Sequence, residues 1–220
     1  EAEVMILNWK CLLGLVILLF IPKKIKGRRI PIVEFQVSGT ASTASWLLYN
    51  NTVPNMTAFS VCLRTKLIQD RDINVVMSYA VENSDNELYI GLKFSSQVLA
   101  FGCCNFTVDL EIPFKIILHQ WLSFCLTIDL SKLVYTLLST DQDESKSFES
   151  SSINKDLQVQ GGGLLYIGQE QDAYGGSFNP KQSLRGHVAD YVMINGLIKE
   201  TDMLKFIGCD NLLLSEDIVF

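Results

Sequence analysis

F-S-V-C-L-R-T-K, residues Phe59–Lys66, puts Phe59, Val61, Leu63 and Thr65 on one side of an extended chain and Ser60, Cys62 and Arg64 on the other. Side chains alternate across a strand with a period of two, so this octet reads as a strand with an apolar inner face and a mixed outer one. Outward from it, comparable short runs recur at Val75–Val81, Glu87–Phe94, Trp121–Leu130, Lys132–Leu138, Leu164–Gly168 and Val188–Ile194. Asn195-Gly196, set between the last run and Leu197–Ile198, is a hairpin signal, because both positions tolerate positive φ. A single helix is expected over Thr201–Ile207, capped by Thr201, with Met203, Leu204 and Ile207 on one face and Gly208 ending it. The polar stretch Asp141–Ser152 reads as a long solvated hairpin loop. Many short strands, one helix and no internal repeat predict an all-β, antiparallel, two-sheet sandwich.

The chain has 220 residues, 48% apolar and 19% charged, enough for one substantial core and too hydrophobic for a disordered protein. The net charge of −6 hides an asymmetry: six Lys/Arg fall in the first 30 residues, leaving 12 basic and 22 acidic residues beyond them. A body that acidic is a poor candidate for binding nucleic acid, and no nucleic acid partner is expected, since phosphate neutralisation needs a basic surface. It suits a protein whose acids gather cations.

Residues 1–30 read as a targeting segment. Met5 and Lys10 lead into the uncharged run Cys11–Ile21, closed by Pro22 and a basic stretch from Lys23 to Arg29. The run is shorter than the ~20 residues that span a bilayer as a helix, so a signal segment is favoured, with a retained membrane anchor as the alternative. Either sends residues 31–220 to an oxidising, extracellular setting, with which the sequons at Asn50, Asn55 and Asn105 agree. Six cysteines become five once Cys11 is set aside: Cys62, Cys103, Cys104, Cys125 and Cys209. An odd count implies a free or intermolecular thiol. Adjacent Cys103-Cys104, without a Cys-x-x-Cys pair or a nearby His couple, do not make a zinc site.

The stretch richest in chemistry is G-Q-E-Q-D-A-Y-G-G-S-F-N-P-K-Q-S-L-R-G, Gly168–Gly186. Glu170 and Asp172, then a Gly175-Gly176 bend, then Asn179 and Gln182 gather hard oxygen donors on one bent loop, which is what Ca²⁺ requires. Asp85-Asn86, just ahead of the Glu87–Phe94 strand, is a second cluster of the same kind. Ordinary polar turns have this composition too.

Four segments together resemble the pentraxin family, the group that includes C-reactive protein, serum amyloid P component and the neuronal pentraxins. They are F-S-V-C-L-R at Phe59–Arg64, S-Y-A-V-E-N-S-D-N-E-L at Ser78–Leu88, W-L-S-F-C-L-T-I-D at Trp121–Asp129 and the long loop at Ile167–Gly186, in order over nearly the whole of residues 31–208. The resemblance implies a pentraxin-like domain over residues 31–220: a jelly-roll sandwich of the concanavalin A and laminin G kind with one short helix. It implies a disulfide between Cys62 and Cys125, and calcium ligation by Asp85, Asn86, Glu170, the Gln171 carbonyl, Asp172 and Gln182, with two ions about Glu170 and Asp172. Asn179 stands where relatives carry a further acid, which weakens the outer of the two sites. Gly91 stands where phosphocholine-binding members carry an aromatic wall, so phosphocholine specificity is not expected. The function implied is secreted, calcium-dependent, lectin-like recognition of anionic or carbohydrate ligands by a homo-oligomer, a pentamer by resemblance. An extracellular adhesion or structural module within a larger receptor, with calcium structural or absent, is the alternative. Cys103 or Cys104 pairs with Cys209 or stays a thiol on either reading.

Enzyme signatures fail. Gly161-Gly162-Gly163 lacks the Lys-Ser/Thr end of a phosphate loop, and neither His-Glu-x-x-His nor Gly-x-Ser-x-Gly occurs. His119 and His187 are expected as structural histidines in apolar strands. Glu170 and Asp172, two apart in a loop rich in amides, suit chelation better than glycoside hydrolysis.

Overall fold

A computed structural model describes residues 31–40, 42–50, 52–139, 143–147 and 157–208. Residues 1–30, where a targeting segment is expected and where Cys11 falls, lie outside them, as does Cys209. In chain order the strands are β1 (Ile32–Phe35), β2 (Leu47–Asn50), β3 (Ala58–Leu67), β4 (Asn74–Val81), β5 (Ser84–Lys93), β6 (Val98–Cys103), β7 (Phe106–Glu111), β8 (Leu122–Asp129), β9 (Val134–Ser139), β10 (Asp143–Ser147), β11 (Leu164–Ile167) and β12 (Gly186–Asn195), followed by the helix α1 (Glu200–Ile207). They form two six-stranded antiparallel sheets, ordered β1-β12-β3-β8-β9-β10 and β2-β11-β4-β5-β6-β7. This is the two-sheet jelly-roll sandwich with one short helix that the sequence predicts.

The alternation in Phe59–Lys66 decides the packing. Phe59, Val61 and Leu63 point between the sheets, where they meet Phe124, Leu126 and Ile128 of β8 and Met77, Ile90 and Phe101 of the facing sheet, all fully buried. The other face of β3 is buried as well. Cys62 and Cys125 lie directly opposite each other, Cα atoms 4.1 Å apart, and are joined by a disulfide. Met203, Phe206 and Ile207 of α1 cover them, together with Leu138, Val192 and Ile194. Burying each such side chain stabilises the fold by about 1.5–3 kcal/mol. Arg64, also on this outer face, bonds Asp190 Oδ2 at 2.8 Å and Ser123 Oγ at 2.7 Å, and donates to the carbonyl of Phe206 at the helix C-terminus. The guanidinium thus adds a donor to a last-turn carbonyl that has no i+4 partner within the helix and that the Gly208 N–H also approaches.

Several expectations are corrected. Asn195-Gly196 does not turn a hairpin: Gly196 N–H donates to the Ala58 carbonyl and Ile198 N–H to Ser60 Oγ, so β3 captures the chain and leads it into α1. The helix begins one residue before Thr201, at Glu200, with Lys199 as its N-cap and no side-chain capping bond. Its buried face carries Phe206, and Leu204 is exposed. The expected solvated loop at Asp141–Ser152 contains β10, paired to β9 from Asp143↔Leu138 to Ser147↔Val134. His119 sits in an exposed turn with φ 64°, its N–H on the Leu67 carbonyl. His187 does lie in β12, buried, with Nε2 3.2 Å from Glu34 Oε1, while its Nδ1 has no partner.

Candidate functional site

The outer face of the β2-β11-β4-β5-β6-β7 sheet carries a hollow of about 410 Å³. Three parts of the chain build it. The β4–β5 hairpin contributes Asp85 and Asn86, which the sequence places ahead of a strand and which lie inside the start of β5. The β11–β12 connection contributes Glu170, Asp172 and Gln182. The β6–β7 hairpin contributes Asn105, Phe106 and Thr107, and Ile73, Val75 and Tyr89 complete the wall.

The β11–β12 connection is held in place by its own backbone and amides. Gly168, with φ 90°, lets the chain leave β11 sharply, its N–H on the Val76 carbonyl and its carbonyl accepting from Leu184. A Cβ at Gly168 would run into the Phe35 ring, so the left-handed turn and the close packing both call for glycine. Gln171 is fully buried: its Nε2 donates to the carbonyls of Ser78 (3.1 Å) and Leu164 (3.0 Å), and its Oε1 accepts from Gly175 N–H. These bonds fix Glu170 and Asp172, which flank it, against β4. The return of the loop is laid along β4 by Val75 N–H donating to the Gln182 carbonyl. Two sequence-distant stretches are thereby brought to one spot, as the sequence predicts.

The site residues do not all behave alike. Asp85, Asn86, Glu170, Asp172 and Gln182 line the hollow. Gln171 does not line it, and its side chain is spent on scaffolding. Asn179 stands off the wall: its Oδ1 accepts from Lys181 N–H at 3.0 Å, and its carbonyl accepts from Gln182 N–H. Beside Gly91 the hollow is lined by an aliphatic side chain: Ile73 Cδ1 lies 2.6 Å from where a Gly91 Cβ would sit. Ile73 and Phe106 carry no polar group, and the Tyr89 phenol is not a hard carboxylate or amide oxygen, so a search for calcium donors passes over all three. Only the apolar-polar alternation of F-T-V-D-L-E in β7 hints at the third wall.

Electrostatically the hollow is an uncompensated acid cluster. Burial, then Asp172 and Asp85, push the Glu170 carboxyl up to about 7. No Lys or Arg is among the residues lining the hollow. Glu170 Oε2 and Gln182 Oε1 are buried without hydrogen-bond partners. Buried polar oxygens are ordinarily satisfied, so two orphans on one acidic wall fit a hard cation from solution. Acids alone do not close a cage: among the described residues no group of three or more His, Cys, Asp or Glu is placed to hold a metal. The amide oxygens of Asn86 and Gln182 and backbone carbonyls are needed to complete one.

The Pentaxin family model matches residues 35–219. C-reactive protein 1.4 of Limulus polyphemus is 25% identical over 198 residues, covering 89% of this chain and 80% of that protein. Human neuronal pentraxin-1 is 25% identical over 167 residues, which is 76% of this chain and only 37% of the longer relative. The native heptameric SAP-like pentraxin of Limulus polyphemus superposes with a TM-score of 0.68 at 21% identity, covering 82% of both chains. That similarity is one of fold.

Proposed function

The chain belongs to the Pentaxin family, and from that premise we propose that it is a secreted, calcium-dependent, lectin-like pattern-recognition protein that binds anionic or carbohydrate ligands and performs no catalysis. The pair of orphaned oxygens, Glu170 Oε2 and Gln182 Oε1, on an acidic hollow is the observation that carries this reading.

Asp85, Asn86, Glu170, Asp172 and Gln182 would hold the ion by their side chains and Gln171 by its backbone carbonyl. A bound calcium offers open coordination positions to phosphate, carboxylate or sugar oxygens. The chain's own residues do the rest. Gln171 positions the two acids, Ser78 Oγ accepts the Gln171 N–H at 3.1 Å, and Ile73, Tyr89 and Phe106 shield one side of the ligand from water. Asn179, turned to Lys181, supports a single strong site with a weak outer one. Secretion agrees with the Cys62–Cys125 disulfide, since such bonds persist in oxidising compartments. Homo-oligomer formation would multiply weak sites by avidity.

Equilibrium dialysis against calcium, followed by capture on phosphate-bearing and carbohydrate resins with and without chelator, tests the reading. Calcium uptake with chelator-reversible capture is expected. The alternative, an extracellular adhesion module of a larger protein, is favoured by one observation: the chain matches only 37% of neuronal pentraxin-1, so a similar unit occurs within longer proteins. Chelator-insensitive capture would select it.

A further inference from the structure

Cys103 and Cys104 stand at the tip of the β6–β7 hairpin, on the rim of the hollow. Cys103 pairs with Phe106 across the turn, and Cys104 and Asn105 both have positive φ, 53° and 70°. The turn residues then lead straight into the wall formed by Asn105, Phe106 and Thr107. Cys103 is fully buried and Cys104 is partly exposed, and both are thiols. Their sulfurs are 2.6 Å apart. A disulfide bond is about 2.05 Å long, so the sulfurs need to close by only about 0.6 Å to bond.

We propose that Cys103 and Cys104 form a reversible disulfide between adjacent residues, at the turn that leads into the hollow's β6–β7 wall. The chain already carries one disulfide, Cys62–Cys125, so a cell that makes it exposes the second pair to the same oxidants. The oxidant is a small-molecule disulfide. The Cys104 thiolate attacks one of its sulfurs, forming a mixed disulfide and releasing one small thiolate. Cys103 then attacks the Cys104 sulfur, releasing the second small thiolate. The two protons lost by the cysteines end on the two released thiols, so two cysteines are oxidised and one small disulfide is reduced. Exchange starts at Cys104 because it is reachable, whereas the hydrogen bond with Cys104 and then burial push the Cys103 thiol up.

Adjacent residues hold their Cα atoms about 3.8 Å apart, less than the usual disulfide span of about 4.4–6.8 Å. A bond made under that constraint is strained and more easily reduced. Cys103–Cys104 therefore opens before the buried Cys62–Cys125 bond. The step does not depend on calcium, so it stands or falls separately from the ion site.

Peptide mapping of the folded protein after equilibration with oxidised glutathione tests this. The protein is alkylated under denaturing conditions without reductant, cleaved at Lys93 and Lys115, and freed of any glycan at Asn105. The expected result is a Phe94–Lys115 peptide lighter by two hydrogens than its dithiol form and free of alkyl label. A graded series of reductant should restore both labels there while Cys62–Cys125 stays closed. Dialkylated peptide after full oxidation, a lasting glutathione adduct on Cys104, or a crosslink to another cysteine peptide would each overturn the proposal. The C104S variant should give a single alkylated thiol and no loss of mass.

Discussion

Glu170 Oε2 and Gln182 Oε1 are buried on the same hollow, and neither has a hydrogen-bond partner. Leaving a buried acceptor unpaired costs about 1–3 kcal/mol. Eleven residues of loop separate the two, yet the bond from Val75 N–H to the Gln182 carbonyl returns the chain to the same wall. Replacing Glu170 by Gln removes one formal charge from the donor set, so calcium affinity should fall about tenfold or more, since charge count tunes affinity at such sites. Gln182→Glu, which adds a carboxylate, should tighten it. Titration calorimetry on the three proteins reads this out, and equal affinities would remove the hollow as the ion site.

The same carboxylate sets a pH dependence in calcium-free protein. Its ordinary value is near 4.5, and burial with Asp172 and Asp85 raises it to about 7. A raised acid is disfavoured in its charged form by folding. No penalty exists below pH 4.5, where it is protonated folded or unfolded. The penalty grows between 4.5 and 7 and is complete above 7. With screening by water in the open hollow discounted, the effect is about 1–2 kcal/mol. Denaturant unfolding of the E170Q variant should show a gain of that size over the parent at pH 8, and little at pH 4.5. A variant no more stable than its parent at pH 8 would show that Glu170 is not strained by its neighbours.

How much of this was legible in the sequence depends on what fixed each element. β3, β4, β5, β8, β9 and β12 announce themselves through alternation or apolar runs long enough to count, and the four-residue β11 through the unbroken apolar run L-L-Y-I between glycines. β1 and β2 have four residues each, I-V-E-F and L-L-Y-N, too short to display a period, and exist because β12 and β11 offer open edges. β6 is interrupted by Gly102, whose absent side chain makes room for Tyr89. Asn195-Gly196 has the right turn chemistry, but Ser60 Oγ and the Ala58 carbonyl, more than a hundred residues earlier, outcompete a local hairpin. In α1 both Leu204 and Phe206 lie at helical spacing from Met203 or Ile207. Which one is buried is decided by the Cys62–Cys125 platform, not by the helix. The acids of the hollow were readable because their chemistry is rare and clustered, while its apolar walls look like any other core residue.

Gly102 offers a test of those walls. Tyr89 lies directly against it across the β5–β6 pair, in the space that a Cβ would take. Gly102→Val should push the Tyr89 ring toward the hollow that it lines, costing about 1–3 kcal/mol by overpacking and weakening ligand capture more than calcium uptake. Chemical denaturation together with the capture assay separates the two effects. Unchanged capture would mean that Tyr89 does not face the ligand.

The outer face of β3 should be separable from the site. Cys62 and Cys125 close a loop with a sequence separation of 63, worth about 4 kcal/mol in the chain-entropy account. The double variant C62A/C125A should lose stability of that order without altering calcium affinity, because the bond lies between β3 and β8 under α1, in the sheet opposite the hollow. Arg64→Ala should cost about 3–5 kcal/mol for a different reason: it strips Asp190, whose side chain is only 7% exposed, of its partner, and removes a charged donor from the Phe206 carbonyl. The two losses should not add fully, since both loosen α1 from the sheet. A triple variant whose loss equals the sum would mean that the disulfide and the guanidinium act on independent parts of the fold. A calcium affinity that falls with either would couple the two sheets through the core.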